Sequence, residues 1–290
     1  KHWRDQPAPL LPLLHAIHER DGWLTEEALR SISDGLKIPL AELFGTVTFY
    51  HHFSREENGR NKPRVCDGPV CRFRGTQNLL EALNAKPMPC AGRCDGPVPV
   101  LKGNEVLIGS DSHDLKPLPS PLPPPNPGGI EECVFAHIRE KGRATLEGYR
   151  KTGGYEALEK ALTDSPEALV ALITESKLAG RGGAGFPTGK KWEMVAQAKS
   201  NPKTIVCNAD EGEPGCFKDR ALLDYDPHAT LEGMILAAHA TGATRGFIYL
   251  RYEYPDTMGT LERAITEAKT AGWLGQNIGG KAGFDFELYI

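Results

Sequence analysis

Five of the ten positions from Gly180 to Gly189 are glycine, in a run Gly-Arg-Gly-Gly-Ala-Gly-Phe-Pro-Thr-Gly-Lys-Lys-Trp that ends at Trp192. Glycine brings no side chain to a core and loses the most backbone entropy on folding, so this run cannot be packed interior. It suits a loop whose backbone N–H groups approach an anion closely. Fifteen residues beyond Trp192, the stretch Cys207-Asn208-Ala209-Asp210-Glu211-Gly212-Glu213-Pro214-Gly215 adds carboxylates and an amide. The two together read as a phosphate cradle with its acids attached.

Two common phosphate loops are excluded. A P-loop needs a glycine where Ala184 stands and a hydroxyl residue where Lys191 stands. Gly180-x-Gly182-x-x-Gly185 satisfies the dinucleotide fingerprint literally, with residues 203–207 as a following strand and Asp210 as its acid. That fingerprint leaves a strand, however. Residues 165–178 read as a helix, with Leu169, Leu172 and Ile173 at helical spacing behind Ser165 as cap and Pro166 in the first turn. A helix therefore enters the loop, and the unit is not an ordinary Rossmann unit.

The glycine run and Cys-Asn-Ala-Asp-Glu-Gly-Glu-Pro-Gly-Cys-Phe-Lys-Asp-Arg resemble the flavoprotein subunit shared by respiratory complex I, NAD-dependent formate dehydrogenases and NAD-reducing hydrogenases. The likeness covers roughly residues 131–290. It implies one bound FMN with NADH stacked on the flavin. By position, Gly182, Gly183 and Lys191 would meet the flavin phosphate region, and Asn208, Asp210 and Glu211 the ring and ribityl chain. Gly180, Arg181, Ala184 and Gly185 would lie on the NAD side, where Phe186 stacks near the nicotinamide nucleotide and Glu213 hydrogen-bonds. The residue types suit these duties, since aromatics stack on flat rings, lysine offers phosphate a point charge and carboxylates accept from hydroxyls. Met194 stands where the resemblance leads one to expect an aromatic. The competing reading of Asp210, Glu211 and Glu213 is a solvated turn. Lys190 reads as a surface charge and Trp192 as helix packing.

Cysteine forms the second constellation. Cys66-x4-Cys71 and Cys90-x3-Cys94 are two close pairs, and Cys-Asp-Gly-Pro-Val occurs twice, starting at Cys66 and at Cys94. Each Gly-Pro turn bends the backbone beside a thiolate and leaves peptide N–H groups free to point at sulfur. Such bonds tune an iron–sulfur cluster, although zinc and, less readily, disulfides also use paired cysteines. The arrangement resembles the thioredoxin-like [2Fe-2S] domain of a partner subunit in the same enzyme class, over about residues 10–111. That resemblance implies one [2Fe-2S] cluster on Cys66, Cys71, Cys90 and Cys94. Only eighteen residues separate Cys71 from Cys90, fewer than the resemblance suggests, which calls the completeness of the sheet into question. Cys133, Cys207 and Cys216 are left over, and Cys207 reads as a small buried hydrophobe.

The fold class read from this pattern is α/β in two parts. A helical preface spans 1–50, a thioredoxin-like [2Fe-2S] domain 51–114, a proline-rich linker 115–129 and the first part of an FMN/NAD-binding domain 130–290. The linker, from Lys116 to Gly129, cannot sustain helix or central strand. Helices are expected at 9–19, 25–36, 76–84, 227–241 and 258–271. Strands are expected at 64–65, 204–207, 246–251 and 284–290, with a hairpin over 98–108 turning at Gly103-Asn104. His15 and His18 read as surface or packing residues. Leu231, Met234, Ile235 and Ala238 read as one core stripe, and Phe247, Tyr249 and Tyr252 as buried strand residues. The formal net charge of −4 offers no basic field for nucleic acid, and no apolar run is long enough to span a bilayer. A cytoplasmic protein is the expectation.

The resemblances together imply a diaphorase subunit that exchanges hydride between NAD(H) and FMN and single electrons with iron–sulfur clusters. No side chain need act as general acid or base. Partners would be a catalytic subunit carrying the substrate metal site and further iron–sulfur subunits. Fusion of the two modules points to the formate dehydrogenase or hydrogenase versions over complex I. The four retained cysteines favour formate dehydrogenase, because some hydrogenase relatives lack them. A non-catalytic adaptor is the alternative; a thioredoxin-like thiol oxidoreductase is disfavoured by the lack of a Cys-x-x-Cys pair. Relatives continue past Ile290 into a glycine-rich loop with two glutamates and a [4Fe-4S] segment, so the expectation is that these 290 residues are a fragment.

Overall fold

The computed structural model describes residues 3, 6–119, 123–126, 128–129 and 131–290. Parts of the linker, residues 120–122 and 127, lie outside the described residues. Contacts divide the chain into two units, Lys1–Ser120 with Gly212–Cys216, and Pro121–Glu211 with Phe217–Ile290. The inclusion of Gly212–Cys216 in the first unit lies outside the contiguous boundaries read from the sequence.

The first unit opens with α1 (Leu10–Asp21), α2 (Glu26–Leu36) and α3 (Leu40–Phe49). Thr25 starts α2 as expected, its hydroxyl accepting from Ala28 N at 3.0 Å ahead of two acids that suit the positive end of the helix dipole. Leu14, Leu24, Leu29, Ile32, Leu43, Val47 and Phe53 close the core of this preface. His18 is buried beside them and accepts from Ser54 N at 3.1 Å. Burial, reinforced by Arg60, pushes His18 down to about 4, so the ring stays neutral and free to accept. The packing reading of this histidine is correct.

A five-stranded sheet follows, made of β1 (Arg64–Cys66), β2 (Lys86–Met88), β3 (Val98–Lys102), β4 (Glu105–Gly109) and β5 (Lys116–Pro117), in the order β2-β1-β3-β4-β5. Between β1 and β2 lie α4 (Pro69–Arg72) and α5 (Thr76–Ala82). β1 and β2 are parallel and β3, β4 and β5 antiparallel, which is a βαβ unit continued by a meander. The short Cys71–Cys90 spacing still houses α5 and β2, and β2 pairs with β1 in the five-stranded sheet. The hairpin turns at Gly103, whose φ of 58° a glycine adopts without strain. Pro117 is confined to the edge strand, where no ladder N–H is needed.

The second unit runs through α6 (Leu146–Arg150), α7 (Glu156–Thr163), α8 (Pro166–Glu175), α9 (Thr188–Gln197), β6 (Thr204–Ala209), α10 (Lys218–Tyr225), α11 (Pro227–Thr241), β7 (Arg245–Leu250), α12 (Pro255–Thr270) and β8 (Glu287–Tyr289). Its strands form a parallel sheet, β6-β7-β8. Leu231, Met234, Ile235 and Ala238 of α11 lie in the core with Leu223, Ile248, Leu261 and Phe286, as the stripe predicted. Tyr249 departs from expectation. It is 39% exposed, because its register opposite Asn208 puts it on the sheet face that also bears exposed Val206.

A buried ion pair ties the segment before α6 to α11. Arg143 Nε and Nη2 donate to Asp226 Oδ1 and Oδ2 at 3.0 and 2.9 Å, with the side chains 7% and 5% exposed. Asp226→Ala leaves the guanidinium buried without its partner, and the expected loss is about 3–5 kcal/mol, read from denaturant unfolding. A loss below about 1 kcal/mol would place the pair among weak surface-like bridges.

Candidate functional site

Cys66 ends β1, Cys71 lies in α4, and Cys90 and Cys94 stand on the connection from β2 to β3. All four are buried, the most exposed at 8%. The Sγ atoms of Cys90 and Cys94 are 3.5 Å apart. Ala91 N donates to Cys66 Sγ at 3.4 Å, and Gly215 N, within the same unit, to Cys94 Sγ at 3.3 Å. The repeated pentapeptide takes two conformations: Gly68 caps α4 with Pro69 in its first turn, whereas Gly96-Pro97 leads into β3. A Cβ on Gly68 would lie 3.0 Å from Cys90 Cβ and 3.2 Å from Cys90 Cα, so only glycine lets the two ligand loops approach this closely. The amides point at sulfur as the Gly-Pro argument anticipated for Gly68, and Ala91 and Gly215 extend the pattern.

The thiols perturb one another. A hydrogen bond with Cys71 lowers Cys66 to about 6, against burial and with help from the Ala91 and Gly68 amides. The same bond raises Cys71, and burial pushes Cys94 up to about 11. Four buried thiols cannot all ionise beside one another unless positive charge joins them. Soft sulfur donors with amide N–H groups aimed at them suit iron–sulfur chemistry. Of the other cysteines, Cys133 is exposed, and Cys207, expected to be buried, is half-buried against the second unit's core.

In the second unit α8 delivers the chain to the glycine loop and α9 takes it away, as the helix signals required. The loop is pinched at its base: Gly180 N donates to Phe186 O at 2.9 Å and Thr188 N to Leu178 O at 2.8 Å. Its glycines do two jobs. Gly183 and Gly185 hold φ of 103° and 59°, and a Cβ on Gly182, Gly183 or Gly185 would meet nothing within 4 Å, leaving backbone open to a ligand. A Cβ on Gly189 would fall 2.2 Å from Thr174 Oγ1 and 2.6 Å from its Cα, so Gly189 lets α8 and α9 touch. The sequence reading missed that packing role. Gly180, Arg181, Ala184, Phe186 and Lys191 are exposed. Lys190 pairs with Glu193 at 3.1 Å on the surface, Trp192 packs against Leu169 and Ala240, and Met194 is 57% exposed.

The acidic stretch follows the carboxyl end of β6, the edge of a parallel sheet outside which ligands bind. Asn208 Oδ1 accepts from Asp210 N at 3.1 Å, and both residues are exposed. Glu211 is buried at 3% exposure, its carboxylate accepting from Asp219 N and Arg220 N at 3.0 and 3.2 Å at the start of α10. Lys218 and Tyr254 also reach that carboxylate, and Arg251 donates to the Glu211 carbonyl. Arg251 is itself paired with Glu253 at 3.0 Å, both side chains buried. Glu211 thus has a framework duty that the sequence reading did not include. Arg251 and Glu253 were missed; their one signal was a charged Arg-Tyr-Glu directly after a strand. Glu213 is exposed within the first unit, its carbonyl accepting from Cys216 N at 3.1 Å.

Residues 173–288 match the family described as Nuo51 FMN-binding domain, and residues 1–88 the thioredoxin-like [2Fe-2S] ferredoxin family. The chain joins a thioredoxin-like [2Fe-2S] ferredoxin domain to an FMN-binding domain of the Nuo51 kind. The ferredoxin match stops just short of Cys90, so the structure supplies the second half of the donor set. The alpha subunit of the NAD-reducing hydrogenase HoxS from Cupriavidus necator is 33% identical over 100% of this chain and 53% of that protein. The F subunit of NADH-quinone oxidoreductase from Aquifex aeolicus is 51% identical over 50% of this chain and 34% of its own length. A crystal structure of an air-oxidized NAD+-reducing [NiFe]-hydrogenase superposes with a TM-score of 0.71 at 25% identity, covering 95% of this chain and 51% of the other. The chain spans about half the length of the hydrogenase protein it matches from end to end. No helix among the described residues is long and apolar enough to cross a membrane.

Proposed function

We propose that this chain is the NAD(H)-facing part of a diaphorase, in which hydride is exchanged between NAD(H) and FMN and single electrons pass to a [2Fe-2S] centre. The observation that carries this reading is one polypeptide holding both four buried cysteines, with backbone amides donating to the sulfurs of Cys66 and Cys94, and an open glycine loop. When bound, the flavin supplies the conversion between two-electron and one-electron chemistry, and the cluster takes the single electrons.

The chain's own residues bind and orient. Gly182 and Gly183 leave peptide N–H groups approachable by phosphate, and Lys191 adds a point charge. Asn208 and Asp210 offer donors and acceptors to the ring and ribityl hydroxyls. Glu211 fixes the turn that carries Asp210 by gripping the start of α10. Phe186, 43% exposed, offers its ring to the nicotinamide nucleotide, with Gly180, Arg181, Ala184 and Gly185 beside it and Glu213 as hydrogen-bond acceptor. Cys66, Cys71, Cys90 and Cys94 hold the cluster. No general acid or base is required.

The end-to-end likeness to a hydrogenase protein supports a partner that carries a substrate metal site, with further iron–sulfur subunits in the cytoplasm. The formate dehydrogenase version is the finer reading, supported by retention of all four cysteines.

The test is anaerobic loading with FMN, iron and sulfide, then addition of NADH. Loss of oxidised flavin absorption together with a reduced-cluster paramagnetic signal is expected. A fully loaded protein that NADH leaves oxidised would be an adaptor, and the reading would fall. Reduction of NAD+ by formate but not by hydrogen, in the complex isolated from cells, selects the formate version; the reverse selects the hydrogenase version.

A further inference from the structure

Arg74 lies in the turn between α4 and α5, on the same connection as the first cysteine pair, yet its side chain serves the second. Its Nη1 donates to the Cys94 carbonyl at 3.1 Å and also to the Gly96 carbonyl. Its own N–H donates to Cys71 O at 2.8 Å, which anchors the arginine to the first ligand loop. One residue therefore ties the backbone of Cys71 to the backbone of Cys94. The Cys94–Gly96 turn precedes β3 and pairs with no strand among the described residues; besides the Gly96 N bond to Arg93 O at 3.3 Å, the Arg74 guanidinium holds it. The Gly215 amide donates to the sulfur of the same cysteine at 3.3 Å.

We propose that Arg74 is a positioning residue that clamps the Cys94 ligand loop and holds the reduction potential of the bound cluster up. Adding one electron makes the cluster more negative. A guanidinium, charged at every working pH, and an N–H···S bond whose geometry the clamp preserves both favour that reduced state. Arg72, two residues away, provides the contrast. It carries the same charge, but its guanidinium forks onto Asp67 at 2.8 and 2.7 Å instead of gripping the Cys94 turn.

The inference rests on the cluster reading, which iron and acid-labile sulfide analysis of the wild-type chain tests first and separately. The experiment is a redox titration of the full chain, followed by the paramagnetic signal of the reduced cluster, in Arg74→Gln, Arg74→Lys and Arg72→Gln. Arg74→Gln should lower the reduced-to-oxidised ratio at the wild-type midpoint about tenfold, a shift of ~59 mV to more negative potential for one electron. Arg74→Lys keeps the charge but loses the two-carbonyl grip, and should shift less, with altered g values. Arg72→Gln should titrate as wild type. A wild-type midpoint in a cluster-loaded Arg74→Gln overturns the proposal, as does an equal shift in Arg72→Gln, which would mean a general surface field. If Arg74→Gln loses its cluster, Arg74→Lys decides: a negative shift supports the proposal and a wild-type midpoint overturns it.

Discussion

Changing any one of Cys66, Cys71, Cys90 or Cys94 to serine is expected to lower iron and acid-labile sulfide per chain at least roughly tenfold and to abolish or reshape the reduced-state paramagnetic signal. Hard oxygen is a poor substitute for thiolate on iron, and little water reaches these positions to replace it, since the four side chains are at most 8% exposed. Cys66→Ser also removes the sulfur that accepts from Ala91 N and Gly68 N. Cys133→Ser and Cys207→Ser serve as controls and should keep wild-type iron, the first being exposed and the second half-buried against the other unit's core. Stoichiometric zinc without sulfide in the wild-type chain would overturn the assignment. So would a serine variant at any of the four positions that retains full iron with an unchanged spectrum.

What could be read from the sequence was local chemistry. Ser165-Pro166 announced α8, the range 227–241 matched α11 to the residue, and Gly103-Asn104 turned the hairpin, because caps and turns are decided by a few adjacent residues. The two cysteine pairs were legible for the same reason. Hidden features depend on what a distant segment brings. Tyr249 reads as a buried strand residue until the register sets it beside Asn208 on an exposed face. Nothing in the local sequence of Glu211 shows that its carboxylate also caps the start of α10, because the amides it accepts from belong to Asp219 and Arg220. Gly189 looks like one more phosphate-loop glycine, and only the crossing of α8 shows that it makes room for Thr174. Arg74 carries no sequence signal at all, because its partners are two carbonyls twenty and more residues away.

The glycine loop yields the second large expected effect, and here geometry separates two causes that the sequence could not. Gly183→Val places a branched side chain over the backbone that should meet the flavin phosphate, at a φ of 103° that such a residue adopts only under strain of about 1–3 kcal/mol. FMN affinity is expected to fall at least roughly a hundredfold, ~2.7 kcal/mol, measured by equilibrium dialysis of the flavin. Strain alone could loosen the loop and mimic that loss. Gly182→Ala resolves the ambiguity, since Gly182 has no positive φ and its added methyl meets no protein atom within 4 Å. It should leave unfolding unchanged yet still weaken FMN, because the only thing the methyl can obstruct is the ligand. Lys190→Ala, which removes a surface charge already paired with Glu193, should bind FMN as wild type does. Gly189→Ala should behave oppositely to Gly182→Ala: its Cβ collides with Thr174, so the α8–α9 contact and overall stability suffer first, with flavin lost in proportion to folded protein. Equal FMN affinity in wild type, Gly182→Ala and Gly183→Val would mean that the phosphate is held elsewhere in the chain.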